Sequence, residues 1–383
     1  MSSSRVTRRH FVQFASGIAL SGCAGQGSDA RAADRAPGSK AGGSLDDGII
    51  FDGSGGIGRY EWNPPLTASE IQDGLRSGLT CVSITVDDVT NSEHAFDHTM
   101  EMISVRLREI AAHPESLMLV RNAADLRAAK ATKRVGFIFA FQGATALGPA
   151  LEHFDTMHGL GVRVMQLTYN TRNLLGDGCL EPGNAGLSTL GRRAVERMNA
   201  SRVLVDVSHC GQRTTAEAIE LSKQPVAITH TGCSAVVNHP RNKRDEELKR
   251  CADKGGVAGI YFMPFLRAQG QQMAADVIAH LEHAINVCGE EHVGIGSDGT
   301  VSTVDIKDPA YVAEFRKEVE ERRKKGISAP GEAPDVFPLC PDLNTPQKFQ
   351  ILRDKLRARG HSQARLNKIM GGNFARLFAD VCG

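Results

Sequence analysis

The sequence predicts an α/β fold of the TIM-type (β/α) barrel class, with extra helices at the C-terminal end. After residue 44, eight short runs of apolar or β-branched residues recur, and each is followed by a loop and a plausible helix. Nearly continuous apolar runs separated by amphipathic segments are typical of parallel strands that helices cover. The chain has 383 residues, which is long enough for one large barrel.

The strand signals extend from residue 48 to residue 299. The first four lie at 48–53, 80–86, 135–143 and 162–170. The second four lie at 202–209, 225–232, 255–262 and 292–299. Between them, segments such as 214–223 and 274–289 have the periodicity of amphipathic helices. In a barrel of this class, functional side chains stand where the strands end.

The region after the last strand signal departs from the repeating pattern. Residues 310–345 combine a charged helical segment with a loop rich in Pro and Gly, which we interpret as an excursion from the barrel. The remaining residues predict two final helices separated near Gly360, and the second breaks at Gly371 and Gly372.

Residues 53–58, GSGGIG, have the glycine spacing of a dinucleotide-binding turn but not its context. Such a turn needs a helix that begins at the third glycine and receives the pyrophosphate. Pro64 and Pro65 follow closely, so no helix is expected to begin at Gly58. Because this stretch ends the first strand signal, we expect it on the rim of the site rather than in a nucleotide loop.

The charge balance argues against a nucleic-acid-binding protein. The chain has 45 Lys and Arg residues against 44 Asp and Glu residues, and it contains no basic block. We therefore expect no nucleic-acid partner. Beyond the N-terminus there is no apolar run of about 18 residues, so no transmembrane helix is expected either.

The N-terminus has the features of an export signal. Arg8 and Arg9, followed by a short apolar segment, resemble a twin-arginine motif, and Leu20-Ser21-Gly22-Cys23 resembles a bacterial lipobox. We expect residues 1–23 to be a twin-arginine lipoprotein signal, 24–44 a flexible tether and 45–383 the barrel domain. The mature protein is then a periplasmic or cell-envelope lipoprotein that contacts the membrane only through the lipid on Cys23.

The remaining eight cysteines show no CxxC pair and no tight framework spacing. We expect most of them to be buried as small apolar residues rather than paired in disulfides.

Two histidines and an aspartate end strand signals in the second half of the chain. His209 and His230 end consecutive signals, and Asp298 lies at the end of the last. Two imidazoles and a carboxylate suit zinc or a similar divalent ion. Any one of these residues alone would more often be a hydrogen-bonded barrel residue. Together, at the ends of strands on one face of the barrel, they favour a metal site. Arg241, in the loop after the sixth strand signal, offers a guanidinium fork for a substrate carboxylate.

Four stretches resemble the membrane dipeptidase (renal dipeptidase-like) family of the amidohydrolase superfamily. They are 167–178 (LTYNTRNLLGDG), 206–242 (DVSH to NHPRN), 292–298 (HVGIGSD) and 371–378 (GGNFARLF). The resemblance extends from residue 48 to residue 383, and the spacing of His209, His230 and Arg241 is its most specific part.

The resemblance implies a barrel with two zinc ions that hydrolyses dipeptides. By matching positions, His209 and His230 bind one zinc, while Asp298 binds the other and handles the proton of the attacking water. Arg241 holds the C-terminal carboxylate of the substrate, and Tyr169 faces the substrate. The partner is then a small peptide-like molecule, and a homodimer is possible.

Three positions depart from the family pattern. The family has His-x-Asp after its first strand, where this chain has Ser54 and Gly56, and it has a metal-bridging Glu where this chain has Gln142. A neutral amide cannot offset the repulsion between two cations. We therefore expect at most one divalent ion, held by His209, His230 and Asp298, or none. Ser54 and Gln142 are then expected to face the substrate.

The expected function is that of an exported dipeptidase-like hydrolase that cleaves dipeptides or similar small amides with metal-activated water. Two alternatives remain open from the sequence. One is a non-hydrolytic barrel that binds peptide-like ligands through Arg241. The other is a changed reaction, such as a lyase or isomerase step, on an exported peptide-derived metabolite.

Overall fold

Parallel strands form the centre of the fold in the computed structural model, which describes residues 48–58 and 65–383. The described residues contain eleven strands: β1 (Phe51–Asp52), β2 (Gly55–Gly56), β3 (Cys81–Thr85), β4 (Leu117–Leu119), β5 (Val135–Phe141), β6 (Val162–Gln166), β7 (Leu204–Asp206), β8 (Ala227–Thr231), β9 (Val257–Ile260), β10 (Val293–Ile295) and β11 (Gly299–Thr300).

Eight of these strands close into a barrel. Strands β5 to β10 pair in chain order, β3 pairs with β5, and β1 joins β3 to β10. Every pairing is parallel, and Asp52 of β1 aligns with Ile295 of β10 where the ring closes. The predicted TIM-type barrel is confirmed, and each of the eight strand signals contains one barrel strand.

Two features of the sheet were not predicted from the sequence. β4 pairs with the beginning of β5, where Leu117 aligns with Val135. β2 and β11 form a separate parallel pair that aligns Gly55 with Gly299. This small pair links the rim after β1 to the rim after β10, so the glycine-rich stretch lies beside the last barrel strand.

Helices cover the outside of the barrel. The described residues contain α1 (Ala68–Arg76), α2 (Ala95–Ala112), α3 (Ala123–Thr132), α4 (Phe154–Gly159), α5 (Thr189–Ala200), α6 (Gln212–Leu221), α7 (Asp245–Asp253), α8 (Ala274–Cys288), α9 (Pro309–Lys324), α10 (Lys348–Ala358), α11 (Gln363–Asn367) and α12 (Asn373–Cys382).

Local sequence signals fix several of these helices. Thr67 begins α1 with a capping box, because its hydroxyl accepts from the backbone of Glu70 while the Glu70 carboxylate accepts from the Thr67 backbone. The helix α8 buries its apolar face, including Val277 and Leu281, against the barrel. Within the described part of the chain, every helix is too short or too polar to span a membrane.

The last helix contributes to the barrel core. The Phe374 ring of α12 stacks on Phe51 of β1, with ring centroids 5.5 Å apart. A side chain at Gly53 or Gly294 would approach this ring to within 2.9 Å or 2.6 Å, so both positions need glycine. The predicted C-terminal helices are confirmed, and the chain changes direction at Gly371, where any Cβ would meet the backbone of β1.

The predicted excursion covers the carboxyl ends of the strands. We define the lid as α9 together with residues 325–345. Its residues Phe315, Glu318, Arg322 and Glu332 line the same cavity as the strand-end residue Asp298. The lid therefore places a second set of charged side chains opposite the barrel.

The predicted signal at 1–23 and the tether at 24–44 lie outside the described residues. Eight cysteines fall within the described residues, and all eight are free. Six of them are buried, as the sequence predicted, whereas Cys179 and Cys288 are half-buried.

Candidate active site

Most of the predicted site residues meet at one end of the barrel. Two cavities that share lining residues lie there. The inner cavity has a volume of about 60 Å³, and the outer cavity has a volume of about 170 Å³. Ser54 lines the outer cavity. The inner cavity is lined by Gln142, Tyr169, His209, Arg241 and Asp298, three of which (Gln142, Tyr169 and Asp298) also line the outer cavity.

The two histidines contact each other directly. Their Nε2 atoms lie 2.8 Å apart, and His230 is fully buried behind His209. The Nδ1 atom of His209 lies 2.6 Å from Oδ1 of Asn170, and the Nδ1 atom of His230 lies 2.9 Å from Oγ1 of Thr229. Oδ1 of Asn170 can only accept, and Oγ1 of Thr229 gives its own hydrogen to Asp206, so each Nδ1 atom donates and carries the proton of its ring. When both rings are neutral, the two Nε2 atoms therefore face each other without a proton.

Both histidines are held in the neutral form. Burial lowers the pKa of His209 and of His230 well below the usual value, and the nearby Arg241 guanidinium lowers both further. Neutral imidazole is the form that binds metals. With each ring protonated at Nδ1, the lone pairs of both Nε2 atoms are available to one ion.

A buried carboxylate supports the histidine pair from below. Oδ1 of Asp206 accepts hydrogen bonds from the backbone of Ser208 at 3.0 Å and of Thr229 at 3.1 Å. Its Oδ2 lies 2.5 Å from Oγ1 of Thr229, which in turn contacts His230. Burial raises the pKa of Asp206, and the hydrogen bonds from Ser208 and Thr229 oppose this shift. Asp206 therefore fixes the orientation of His230, a role that the sequence did not reveal.

Arg241 is a buried cation with unused hydrogen-bonding capacity. It is only 1% exposed, its Nη1 donates to the carbonyl of Ser208 at 2.9 Å, and its guanidinium lies over the ring of Tyr261. Within the described residues, its Nη2 has no oxygen or nitrogen partner. A ligand carboxylate would supply the missing partner, because it accepts charge-assisted hydrogen bonds from a guanidinium.

Asp298 is turned into the cavity by the backbone. Its φ of 53° lies in the left-handed region, and its backbone N–H donates to the carbonyl of Ser54 at 2.8 Å. Aspartate tolerates this conformation better than most residues. Desolvation raises the pKa of Asp298 to about 6, whereas Arg241 and Arg322 lower it. A carboxylate with this pKa can accept a proton near neutral pH.

Gln142, where the resemblance places a bridging glutamate, lies at the end of β5. Its Nε2 donates to Oγ1 of Thr85 at 2.9 Å. The backbone N–H groups of Gln142 and Gly143 both donate to Asp87, at 2.8 Å and 2.9 Å. Burial raises the pKa of Asp87 to about 7, and these two hydrogen bonds oppose the shift. Asp87, two residues after the end of β3, was not predicted as a site residue.

The lid is bound to the barrel by polar contacts near the histidines. The Tyr169 ring stacks on His209 with centroids 4.2 Å apart, and its hydroxyl accepts from Nη2 of Arg322 at 3.2 Å. The Asn170 side chain donates to the carbonyl of Ile327 at 2.7 Å. The two hydrogen bonds to the lid join residues more than 150 positions apart, and no local motif could have indicated them.

The residues present do not fit a two-zinc centre. Ser54, Gly56 and Gln142 provide none of the carboxylates or imidazoles that such a centre needs. Within the described ranges, no group of three or more His, Cys, Asp and Glu side chains is arranged to hold a metal ion. His209 and His230 offer two nitrogens, whereas catalytic zinc usually has three protein ligands. A single ion on His209, His230 and Asp298 stays a prediction.

Comparison with known proteins identifies the family. The model of the membrane dipeptidase family, peptidase family M19, matches residues 67–330. The chain belongs to the membrane dipeptidase family. By this membership it is a metallodipeptidase-type hydrolase with an amidohydrolase-type fold. Members of the family are zinc-dependent peptidases.

Several relatives of this membrane dipeptidase-family chain are known. It is 27% identical over 287 residues to an uncharacterised protein in the pqqA 5′ region of Klebsiella pneumoniae, covering 72% of this chain and 93% of the relative. It is 30% identical over 234 residues to dipeptidase verJ of Clonostachys rogersoniana, covering 60% of each. The structure of an amidohydrolase from Pseudomonas aeruginosa is 32% identical with a TM-score of 0.75, covering 88% of this chain and 97% of that one.

Proposed function

We propose that this membrane dipeptidase-family protein binds and hydrolyses small amides of the dipeptide class that carry a free carboxylate. The observation that supports the proposal is the inner cavity, where the buried Arg241 guanidinium and the Asp298 carboxylate face the same space. A carboxylate paired with Arg241 orients the substrate, so that its amide bond lies within the cavity near Asp298.

Asp298 acts as the base in this proposal. It takes a proton from a water molecule whose oxygen attacks the amide carbon, and it returns the proton to the amine as the carbon–nitrogen bond breaks. The lid limits the access of other water molecules. Because the two-zinc ligand set is incomplete, no step is assigned to a metal ion.

The test is a hydrolysis assay with purified protein and L-Ala-L-Ala and L-Ala-D-Ala, in which released amino acid is measured with and without added zinc. Replacement Asp298→Asn is expected to lower kcat by about 100-fold or more, because removal of a general base has effects of this size. Absence of turnover in the wild type under both conditions would refute hydrolysis.

The second candidate function is binding without hydrolysis. The observation that favours it is the absence of a carboxylate or imidazole at Ser54, Gly56 and Gln142, where the resemblance implies metal ligands. Calorimetric titration with the same dipeptides separates the candidates. Binding without any release of amino acid supports the non-hydrolytic protein, whereas turnover supports the hydrolase.

We also propose that the protein acts outside the cytoplasm as a lipoprotein of the cell envelope. Arg8, Arg9 and Cys23 support this proposal by their order in the N-terminal sequence. An exported location agrees with a small peptide substrate from outside the cell.

A further inference from the structure

One face of the lid helix α9 points into the candidate active site. Phe315, Glu318, Val319 and Arg322 are spaced by three or four residues, so they lie on the same side of the helix. All four line the inner cavity. Glu318 and Arg322 also line the outer cavity, and Glu318 therefore stands where the two cavities meet.

The surroundings of Glu318 are rich in negative charge. Burial raises the pKa of this half-buried carboxyl group, Arg322 lowers it, and the neighbouring Glu332 raises it again. The Arg322 guanidinium already donates to both carboxylate oxygens of Glu332, at 2.8 Å and 3.0 Å. Two carboxylates thus share one guanidinium, which leaves this part of the cavity wall with an excess of negative charge.

The opposite charge lies deeper in the inner cavity. Arg241 lines the inner cavity but not the outer one, and its buried Nη2 has no oxygen or nitrogen partner within the described residues. The space is therefore polarised, with a cation at one end and an acidic wall at the junction. A molecule with a carboxylate at one end and an ammonium group at the other matches this polarity.

The outer cavity continues beyond Glu318 with an apolar wall. Ile57, Leu66, Ile84, Val89 and Phe137 contribute to it. A substrate whose carboxylate pairs with Arg241 and whose amine pairs with Glu318 would extend its first side chain into this space. An apolar wall favours an apolar first side chain.

We propose that Glu318 is a specificity-determining residue that binds the free ammonium group of the substrate. Among the dipeptides of the proposed function, those with an apolar first residue are then preferred. This inference rests on the proposed function, which places the substrate carboxylate at Arg241. The lid then recognises the substrate ammonium group in addition to covering the site.

The test compares L-Leu-Gly with its desamino analogue, 4-methylpentanoyl-glycine, which keeps the shape and the carboxylate but lacks the amine. In the wild type we expect kcat/KM to be about tenfold or more higher for L-Leu-Gly. In Glu318→Gln this preference is expected to disappear through a higher KM for L-Leu-Gly, with the desamino analogue unchanged. Glu314→Gln, an exposed position on the same helix, is the matched control and should behave as the wild type.

Calorimetric titration of both compounds keeps this inference separate from the proposed hydrolysis. If the wild type hydrolyses neither compound, a binding preference for L-Leu-Gly that Glu318→Gln abolishes still supports the ammonium site. Equal binding of both compounds by the wild type, or no binding of either, overturns it. Equal weakening of both by Glu318→Gln also overturns it, because that result means that Glu318 only orders the lid through Arg322.

Discussion

At the residue scale, the site depends on buried groups whose charges are not fully matched. Arg241 is almost completely buried, and within the described residues one terminal nitrogen lacks an oxygen or nitrogen partner. Asp298 and Asp87 are carboxyl groups whose pKa values burial raises to about 6 and about 7. Burial of such groups lowers the stability of the folded protein, so they are candidates for a role in function rather than in packing.

Arg241→Met should weaken binding of a carboxylate ligand far more than it weakens the fold. A desolvated guanidinium–carboxylate pair contributes about 2 to 5 kcal/mol, and the methionine preserves much of the side-chain volume. Titration of L-Ala-L-Ala and of its C-terminal amide into both proteins measures the effect. Arg193→Met, at an exposed position of α5, is the control. A wild type that binds the acid and the amide equally well would contradict the role given to Arg241.

Asp87→Asn should change how stability depends on pH. The pKa of Asp87 is raised from 3.8 to about 7 in the folded protein, so between these values the folded state holds more protons than the unfolded state. Stability contributed by this group is present at low pH and is lost as pH rises through about 7. Relative to the wild type, the variant should gain about 3 kcal/mol in free energy of unfolding between pH 5 and pH 8, because two of the pKa units lie in this range.

Denaturant unfolding at several pH values measures this difference. The exposed Asp97 on α2 provides the control, since Asp97→Asn should leave the pH dependence unchanged. A constant difference between Asp87→Asn and the wild type across the range would show that the Asp87 carboxyl group is not protonated in the folded state.

At the element scale, the turn after β1 determines which ions the barrel can hold. In this turn Gly55 and Gly56 pair with the residues after β10, close to Asp298. A Cβ atom at Gly56 would meet no atom within 4 Å, so a larger side chain has room there. The backbone at position 56 is therefore compatible with the aspartate that the resemblance places there.

We expect at most one equivalent of tightly bound divalent ion in the wild type. Gln142→Glu alone should raise zinc content only slightly, because Ser54 and Gly56 still provide no ligands. The triple change Ser54→His, Gly56→Asp and Gln142→Glu supplies the full family set and should bind two equivalents. Elemental analysis of the three purified proteins measures this.

The outcomes in the wild type separate the candidate functions. Two equivalents of zinc would contradict our interpretation of the turn and would indicate ordinary two-metal chemistry. No zinc, together with unchanged ligand binding in a His209→Ala, His230→Ala variant, would favour the binding protein over the hydrolase.

Phe374→Ala should destabilise the protein, because α12 completes the barrel core. The ring is 2% exposed and stacks on Phe51. Loss of a buried phenylalanine usually costs about 3 to 5 kcal/mol, including the cavity that remains. Chemical denaturation measures the free energy of unfolding, and Phe374→Leu should cost less. A loss below about 1 kcal/mol would mean that the barrel and α12 are stable independently.

At the scale of the whole molecule, an expected export signal precedes the barrel. The described residues all fall in one compact unit, whereas Arg8, Arg9 and Cys23 lie outside them. Oligomeric state likewise stays a prediction from family resemblance. The location of the protein must therefore be tested in cells.

The wild-type protein is expected in the membrane fraction of a bacterium that has twin-arginine export and lipoprotein processing. Cys23→Ala removes the acceptor of the lipid and should move the protein to the soluble fraction, because the lipid is the expected anchor. Arg8→Lys with Arg9→Lys tests the export step separately. Identical partitioning of the wild type and Cys23→Ala into the soluble fraction would rule out the lipid anchor.

The sequence by itself determined the barrel, its strand order and the edge at which the site lies. Hydrophobic periodicity is local, and parallel strands that alternate with helices leave few other folds. His209, His230 and Asp298 could be named because each ends a strand signal. Ser54, Gly56 and Gln142 could be named as altered positions because they fall within recognisable motifs.

Only the tertiary structure decided what surrounds these residues. Asp87 and Asp206 act through hydrogen bonds to neighbouring strands, and Glu318 and Arg322 reach the cavity from a lid more than 100 positions beyond His209. The burial of a site residue and its hydrogen-bond partners depend on which remote parts of the chain lie beside it. Hydrophobic periodicity does not encode that proximity. The charge pattern of the cavity, and hence the ligand it can accept, is therefore a property of the folded protein.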